Sequence, residues 1–161
     1  MENGAVTMSD CRKYQDYIER FQMVPHVEGG FFRELDPHNP NSELRPAHGV
    51  IYYMLDAHDK SDFHVLDSDE YWLYHAGPDI EIWWIDDLKQ LHRSRLGMGD
   101  HAQPCVLMPA GCIFGARHAE GNTQPILVSC VTVPQFRYEH YRILEKEEVL
   151  QICPAAEEFY K

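Results

Sequence analysis

The run FHVLDSDEYWLYHAG, residues 63–77, gathers the side chains of this chain that could do chemistry. His64 and Glu70 stand six positions apart, His75 follows, and Gly77 closes the run. An imidazole and a carboxylate in one pocket can help hold a transition metal, provided that further nitrogen or oxygen donors converge with them. Without a metal they can move protons. A carboxylate that accepts from an imidazole fixes its tautomer and raises its pKa, which prepares a general acid or base. The plain alternative is a satisfied polar pair in a protein core, since either group buried alone is costly.

Alternation along extended chain decides which residues share the pocket. If His64 points inward, so does Leu66. If Glu70 points inward after the DSD turn, Trp72 and Tyr74 follow, and His75 faces the other way. The pocket expected from the sequence therefore sets His64 and Glu70, as catalytic groups, against Leu66, Trp72, Tyr74 and Phe114. Arg33, in GGFFRE, could grip an anionic group on a ligand through two hydrogen bonds, or pair with Glu28 or Glu34. Gly29 and Gly30 form no phosphate loop, because no helix follows and the rest of such a fingerprint is missing. Cys105 and Cys112 flank VLMPAG and could line the interior, where a lone thiol is more often packing than nucleophile. Trp72, Trp83, Trp84 and Phe114 could stack a sugar or planar ring, although aromatics alternating on strands are usually core.

These residues need a scaffold. The 161 residues suffice for one domain, 1–161, able to bury a core without disulfides. Residues 9–24 show a helical period in Tyr14, Tyr17, Ile18 and Phe21, with Ser9 or Asp10 as cap and Pro25 as stop. Then come GVIYYML, SDFHVL, EYWLYHAG, IEIWWI, QLHRSRL, PCVLMP and PILVSCVTV, parted by turn residues. Seven or eight short strands predict an all-β sandwich or barrel. EKEEVLQIC reads as a short C-terminal helix ended by Pro154.

Composition bounds the partners. Lys and Arg number 14 against 26 Asp and Glu, a formal charge of −12. That balance excludes a basic nucleic-acid footprint and disfavours anionic membranes. Five cysteines, at 11, 105, 112, 130 and 153, form no CxxC pair and leave one over. Reduced thiols in a cytoplasmic protein are the expectation. No apolar run approaches a membrane span, and MENGAVTMSDCRKY lacks the form of a secretory signal.

Four segments in order, HVEGGFFRE, IYYML, SDEYWLYHAG and VLMPAGCIFGA, resemble the cupin superfamily. They are similar to its small, single-domain, uncharacterised branch with HPEGG-like, SDE-W-H-G and PAG motifs. The resemblance spans about residues 21–145. It implies a cupin-type jelly-roll β-barrel, or double-stranded β-helix, and commonly a homodimer. The general cupin metal pattern, G-x5-H-x-H-x3-E-x6-G, falls on His64, Glu70 and Gly77, but its opening glycine is His58 and its second histidine is Leu66. In P-x-G-x2-H, Pro109 and Gly111 match while Phe114 takes the histidine position. The expectation is no cofactor. A divalent transition metal, if bound, would rest on His64 and Glu70 with non-standard donors such as His58, His48 or Cys105. Nucleotide-sugar epimerases in the superfamily use a histidine with a tyrosine and no metal.

The expected function is small-molecule binding, with proton-transfer chemistry of isomerase, epimerase or lyase type on a carbohydrate-like or other small polar metabolite. The alternatives are capture without turnover, and a metal-dependent oxygenase or decarboxylase with non-standard ligands. A homodimer is expected, its N-terminal segment covering the partner's sheet, with His75 or the IEIWW strand near the interface.

Overall fold

The computed structural model describes residues 8–35 and 44–161, with side chains from residue 15 onward. Helix α1 (Met8–Phe21) presents Tyr17, Ile18 and Phe21 at three- and four-residue spacing on one side. It ends before the expected Pro25. Gln22 takes a φ of 53°, Met23 N–H donates back to the Ile18 carbonyl at 2.9 Å, and Pro25 lies in the short strand β1 (Val24–Pro25). The turned-back chain, rather than the proline, stops the helix.

Ten further strands follow: β2 (Phe31–Glu34), β3 (Gly49–Leu55), β4 (Lys60–Leu66), β5 (Asp69–Ala76), β6 (Ile80–Ile85), β7 (Leu91–Leu96), β8 (Cys105–Met108), β9 (Ile113–His118), β10 (Ile126–Val133) and β11 (Tyr141–Ile143). They form two antiparallel sheets, ordered β1-β2-β3-β10-β5-β8 and β11-β4-β9-β6-β7, the layout of a jelly roll. The seven runs read as strands all appear. Four strands went unread: β1, β2, β11 and β9, whose alternation is broken by the Gly-Ala step in IFGARH yet which lies centrally in its sheet.

Tyr53, Leu55, Trp72, Ile82, Phe114 and Val128 fill the space between the sheets. Each sheet's outer face is also occupied. On the first, α1 sets Tyr17, Ile18 and Phe21 against Met54 and Leu127, and His75 meets Ser129 at 2.6 Å. On the second, helix α2 (Lys146–Ile152) and the 3-10 helix Pro154–Tyr160 cover Phe63, Trp83 and Ile85 with Val149 and Phe159. The N-terminal helix packs on its own chain's sheet, and the outward face of the IEIWW strand is covered by the chain's own C-terminal segment. Among the described residues no helix is long and apolar enough to cross a membrane.

Candidate functional site

A cavity of about 550 Å³ opens between the two sheets at the end where β2, β3, β4, β5 and β10 meet residues 135–141. Period-two geometry fills it as expected from β4 and β5: His64, Leu66 and Glu70 line the wall, while His75 faces away. His64 is 2% exposed and Glu70 8%.

The carboxylate beside His64 is not Glu70. It is Glu28, from the HVEGG segment, whose Oε2 lies 3.6 Å from His64 Nδ1. The same Oε2 accepts from the Tyr141 hydroxyl at 2.7 Å, and Oε1 accepts from Ser61 Oγ at 2.9 Å. His26 Nδ1 stands 3.8 Å away. The two glycines explain how a loop carries this group so deep. Gly29 and Gly30 hold φ values of 108° and 74°, and a Cβ on Gly29 would run into the Lys60 carbonyl. The loop is pinned from both sides, by Asp62 N–H donating to the Glu28 carbonyl at 3.0 Å and by Tyr53 OH donating to the Gly29 carbonyl at 2.7 Å.

His64 Nδ1 is 2.7 Å from the Asp62 carbonyl oxygen. A carbonyl only accepts, so Nδ1 carries the proton and Nε2 keeps the lone pair. The Phe114 ring backs the imidazole at 4.3 Å between centroids. Burial pushes the Glu70 carboxyl up to about 7, with His64 opposing and Glu28 adding to the rise. Burial likewise raises the Cys130 thiol, helped by Glu70, and the Tyr141 hydroxyl, helped by Glu28; it lowers His26, with Glu28 opposing. The Trp72 indole and the Cys130 thiol both act on Glu70 from the donor side, yet Trp72 Nε1 closes no hydrogen bond.

The other expected binding residues lie elsewhere. Arg33 is exposed on the opposite face of β2 from Phe32 and Glu34, which do line the cavity, so it cannot clamp a ligand there. Trp72 lies beneath the cavity as core, edge-on to Tyr53 at 5.5 Å and to Phe114 at 6.4 Å. Tyr74 spends its hydroxyl on the Gly77 carbonyl at 2.7 Å. Cys105 is exposed and Cys112 packs beside the Ile85 carbonyl; the thiol in the cavity wall is Cys130. Sequence reasoning missed Glu28, His26, Cys130 and Tyr141. Glu28 had a signal in the double glycine after it. Tyr141 had none, because it reaches Glu28 across 113 residues.

A buried imidazole and two buried carboxylates thus line one cavity of ligand size in a two-sheet jelly roll. Residues 15–144 match the family model described as Cupin superfamily (DUF985), and the chain belongs to the cupin superfamily. Its fold is shared by a protein from Shewanella oneidensis solved by X-ray crystallography, with a TM-score of 0.81 and 31% identity over 89% of this chain and 92% of that one. A hypothetical protein from Leishmania major superposes with a TM-score of 0.77 at 29% identity, covering 89% and 93%. Oxalate decarboxylase from Bacillus subtilis gives a TM-score of 0.59 at 15% identity, over 84% of this chain and 34% of that one, a likeness of fold alone. No curated protein matches the chain.

The general cupin metal pattern is incomplete in this chain. Two of the four ligand positions are hydrocarbon, Leu66 and Phe114, and Phe114 is packed against the one histidine that remains. His58 lies in the turn between β3 and β4. Among the described residues no group of three or more His, Cys, Asp or Glu is arranged to hold a metal ion.

Proposed function

We propose that this cupin is an enzyme that moves protons on a small polar metabolite held in the cavity, by isomerase, epimerase or lyase chemistry. The observation that carries the reading is the setting of His64. Its Nδ1–H is held by the Asp62 carbonyl with the Glu28 carboxylate 3.6 Å away, so Nε2 is the basic atom, and Glu70 lines the same cavity. A neighbouring carboxylate stabilises the imidazolium that forms when Nε2 accepts a proton. Glu70, with its pKa at about 7, can donate or accept near neutrality. In an isomerisation His64 removes a proton from a carbon next to a carbonyl, and Glu70 protonates the oxygen on which charge develops. Returning the proton to another carbon, or to the other face, completes the turnover; loss of a leaving group would make it a lyase. Glu28 is a positioning residue, because its own oxygens are taken by Ser61 and Tyr141.

The same reading has the chain act as a single-domain cytoplasmic homodimer. Its described cysteines are free thiols, which fits a reducing compartment.

The test is proton NMR in deuterated water. Carbohydrate-like and amine metabolites are incubated with the protein, and loss of a carbon-bound proton signal is followed. Exchange is expected with the parent and absent with His64→Ala, whose melting curve stays cooperative. If His64→Ala instead unfolds the protein, a cost of several kcal/mol for breaking a buried polar network, the site is a satisfied core and the reading falls.

A further inference from the structure

We propose that the cavity selects an organic cation: a small ammonium-bearing metabolite whose charged end lies among the rings of Phe136, Tyr138 and Tyr141 and is countered by Glu34 and Glu28. The inference rests on the reading of this cavity as the working site and names the class of molecule it takes.

The charges on the wall are one-sided. Glu28, Glu34, Glu70 and Glu139 line the cavity, and among the described residues the permanent cation lining it is Arg137. That guanidinium is already paired with Glu139 at 3.3 Å. The nearby arginines are also engaged: Arg45 holds Asp67 through two bonds of 2.7 and 2.8 Å, and Arg142 holds Glu148 at 2.8 Å. A phosphate or dicarboxylate entering here would meet carboxylates with no unspent cation, a like-charge juxtaposition that opposes binding. A cation meets the opposite.

The rings beside these carboxylates supply a second feature. Phe136, Tyr138 and Tyr141 stand edge to face with centroids 4.9, 5.1 and 6.1 Å apart, so their ring faces turn in different directions at one corner of the cavity. Tyr138 is half exposed and forms the mouth; Tyr141 reaches inward to Glu28. Glu28 and Glu34 both act on the Tyr138 hydroxyl, which puts these carboxylates within electrostatic reach of the rings. Aromatic faces flanked by carboxylates are a good setting for an alkylated ammonium, because the ring quadrupole and the carboxylates attract it together. Deeper in, the buried Glu70 and Thr132 line the same cavity and can meet a ligand's hydroxyl groups. The molecule so described is an amino alcohol or an amino sugar.

The experiment titrates matched probes and follows the tyrosine and histidine ring signals by NMR. Choline is set against its neutral carbon isostere 3,3-dimethylbutan-1-ol, and glucosamine against glucose; oxalate and glucose 6-phosphate supply the anions. Each ammonium probe should bind about tenfold tighter than its neutral partner. That preference should shrink in Tyr138→Leu and in Glu34→Gln, two exposed positions whose change leaves the fold intact. Equal binding of the neutral probes, tighter binding of an anion, or no ammonium binding up to the solubility limit would each overturn the proposal. The two readings fail separately. Oxalate or glucose shifting His64 while choline does not would sink the cation and spare the proton-transfer chemistry. Choline binding with no metabolite exchanging a proton would do the reverse.

Discussion

His64 illustrates what one sequence can and cannot say about a residue. Alternation along β4 and β5 correctly sends His64, Leu66 and Glu70 inward and His75 outward, because side-chain direction in a strand is a local property. The partner of His64 is not local. Glu28 comes from a loop 36 residues earlier, and Tyr141, which holds Glu28, comes from 77 residues later; the fold alone brings them together. Glu70, left without the imidazole contact expected for it, shows the cost of burial in its titration. The unfolded chain releases this proton near 4.5 and the folded chain keeps it to about 7. The folded state thus binds more protons across that window, and stability falls as pH rises through it. The sum is on the order of 3 kcal/mol. Glu70→Gln removes the charge and keeps the shape, so it should stabilise the protein by about that amount at pH 8 and by little at pH 4. Urea denaturation at the two pH values checks it, and an equal effect at both would mean that Glu70 is not held neutral by burial.

At the scale of the element, the turn at His26–Gly30 does for this site what a strand does elsewhere. His26 N–H donates to the Gly30 carbonyl at 2.9 Å, closing a tight loop that leans on β4 through Asp62. From sequence, EGG excluded a phosphate loop, and its structural purpose stayed hidden because the obstacle, the Lys60 carbonyl, belongs to another strand. The glycines differ in a testable way. Gly29→Ala meets both a positive φ and a backbone collision and should cost on the order of 3 kcal/mol, displacing Glu28 as it does so. Gly111→Ala, in the PAG turn, meets a φ of 81° and open space, and should cost about 1 kcal/mol. Thermal melts of the two variants decide the matter; similar losses would mean that the collision at Gly29 relaxes freely. The unread strand β9 makes a related point. Gly115 interrupts its pattern because a Cβ there would press on the Ser61 carbonyl of β4, so the residue that spoils the strand signal is the one that lets the two strands approach.

For the whole molecule, the jelly roll followed from the spacing of seven legible strands and from the four motifs, while the coverings of its two outer faces did not. Short amphipathic segments say that they will pack, not on what. Once α1 and the C-terminal segment are in place, an apolar strip remains on the first sheet beside α1, made by Tyr71, Leu107 and Val133 at 36%, 41% and 44% exposure. Tyr71 and Leu107 are register partners on β5 and β8, so the strip is continuous across strands. A chain with a net charge of −12 repels its copies unless such a surface offsets it. Light scattering should therefore give the mass of a dimer, and Leu107→Glu that of one chain. A parent already monomeric at micromolar concentration would leave this strip without a partner. The sheet that bears it has a further property. β10 lies between β3 and β5, so residues 126–133 bridge two strands that precede them by fifty residues or more. During synthesis β3 and β5 must wait on the ribosome with open hydrogen-bonding edges until that segment emerges, and pairing so distant is slow. The nascent chain thus exposes the most unpaired strand edge just before the cavity exists.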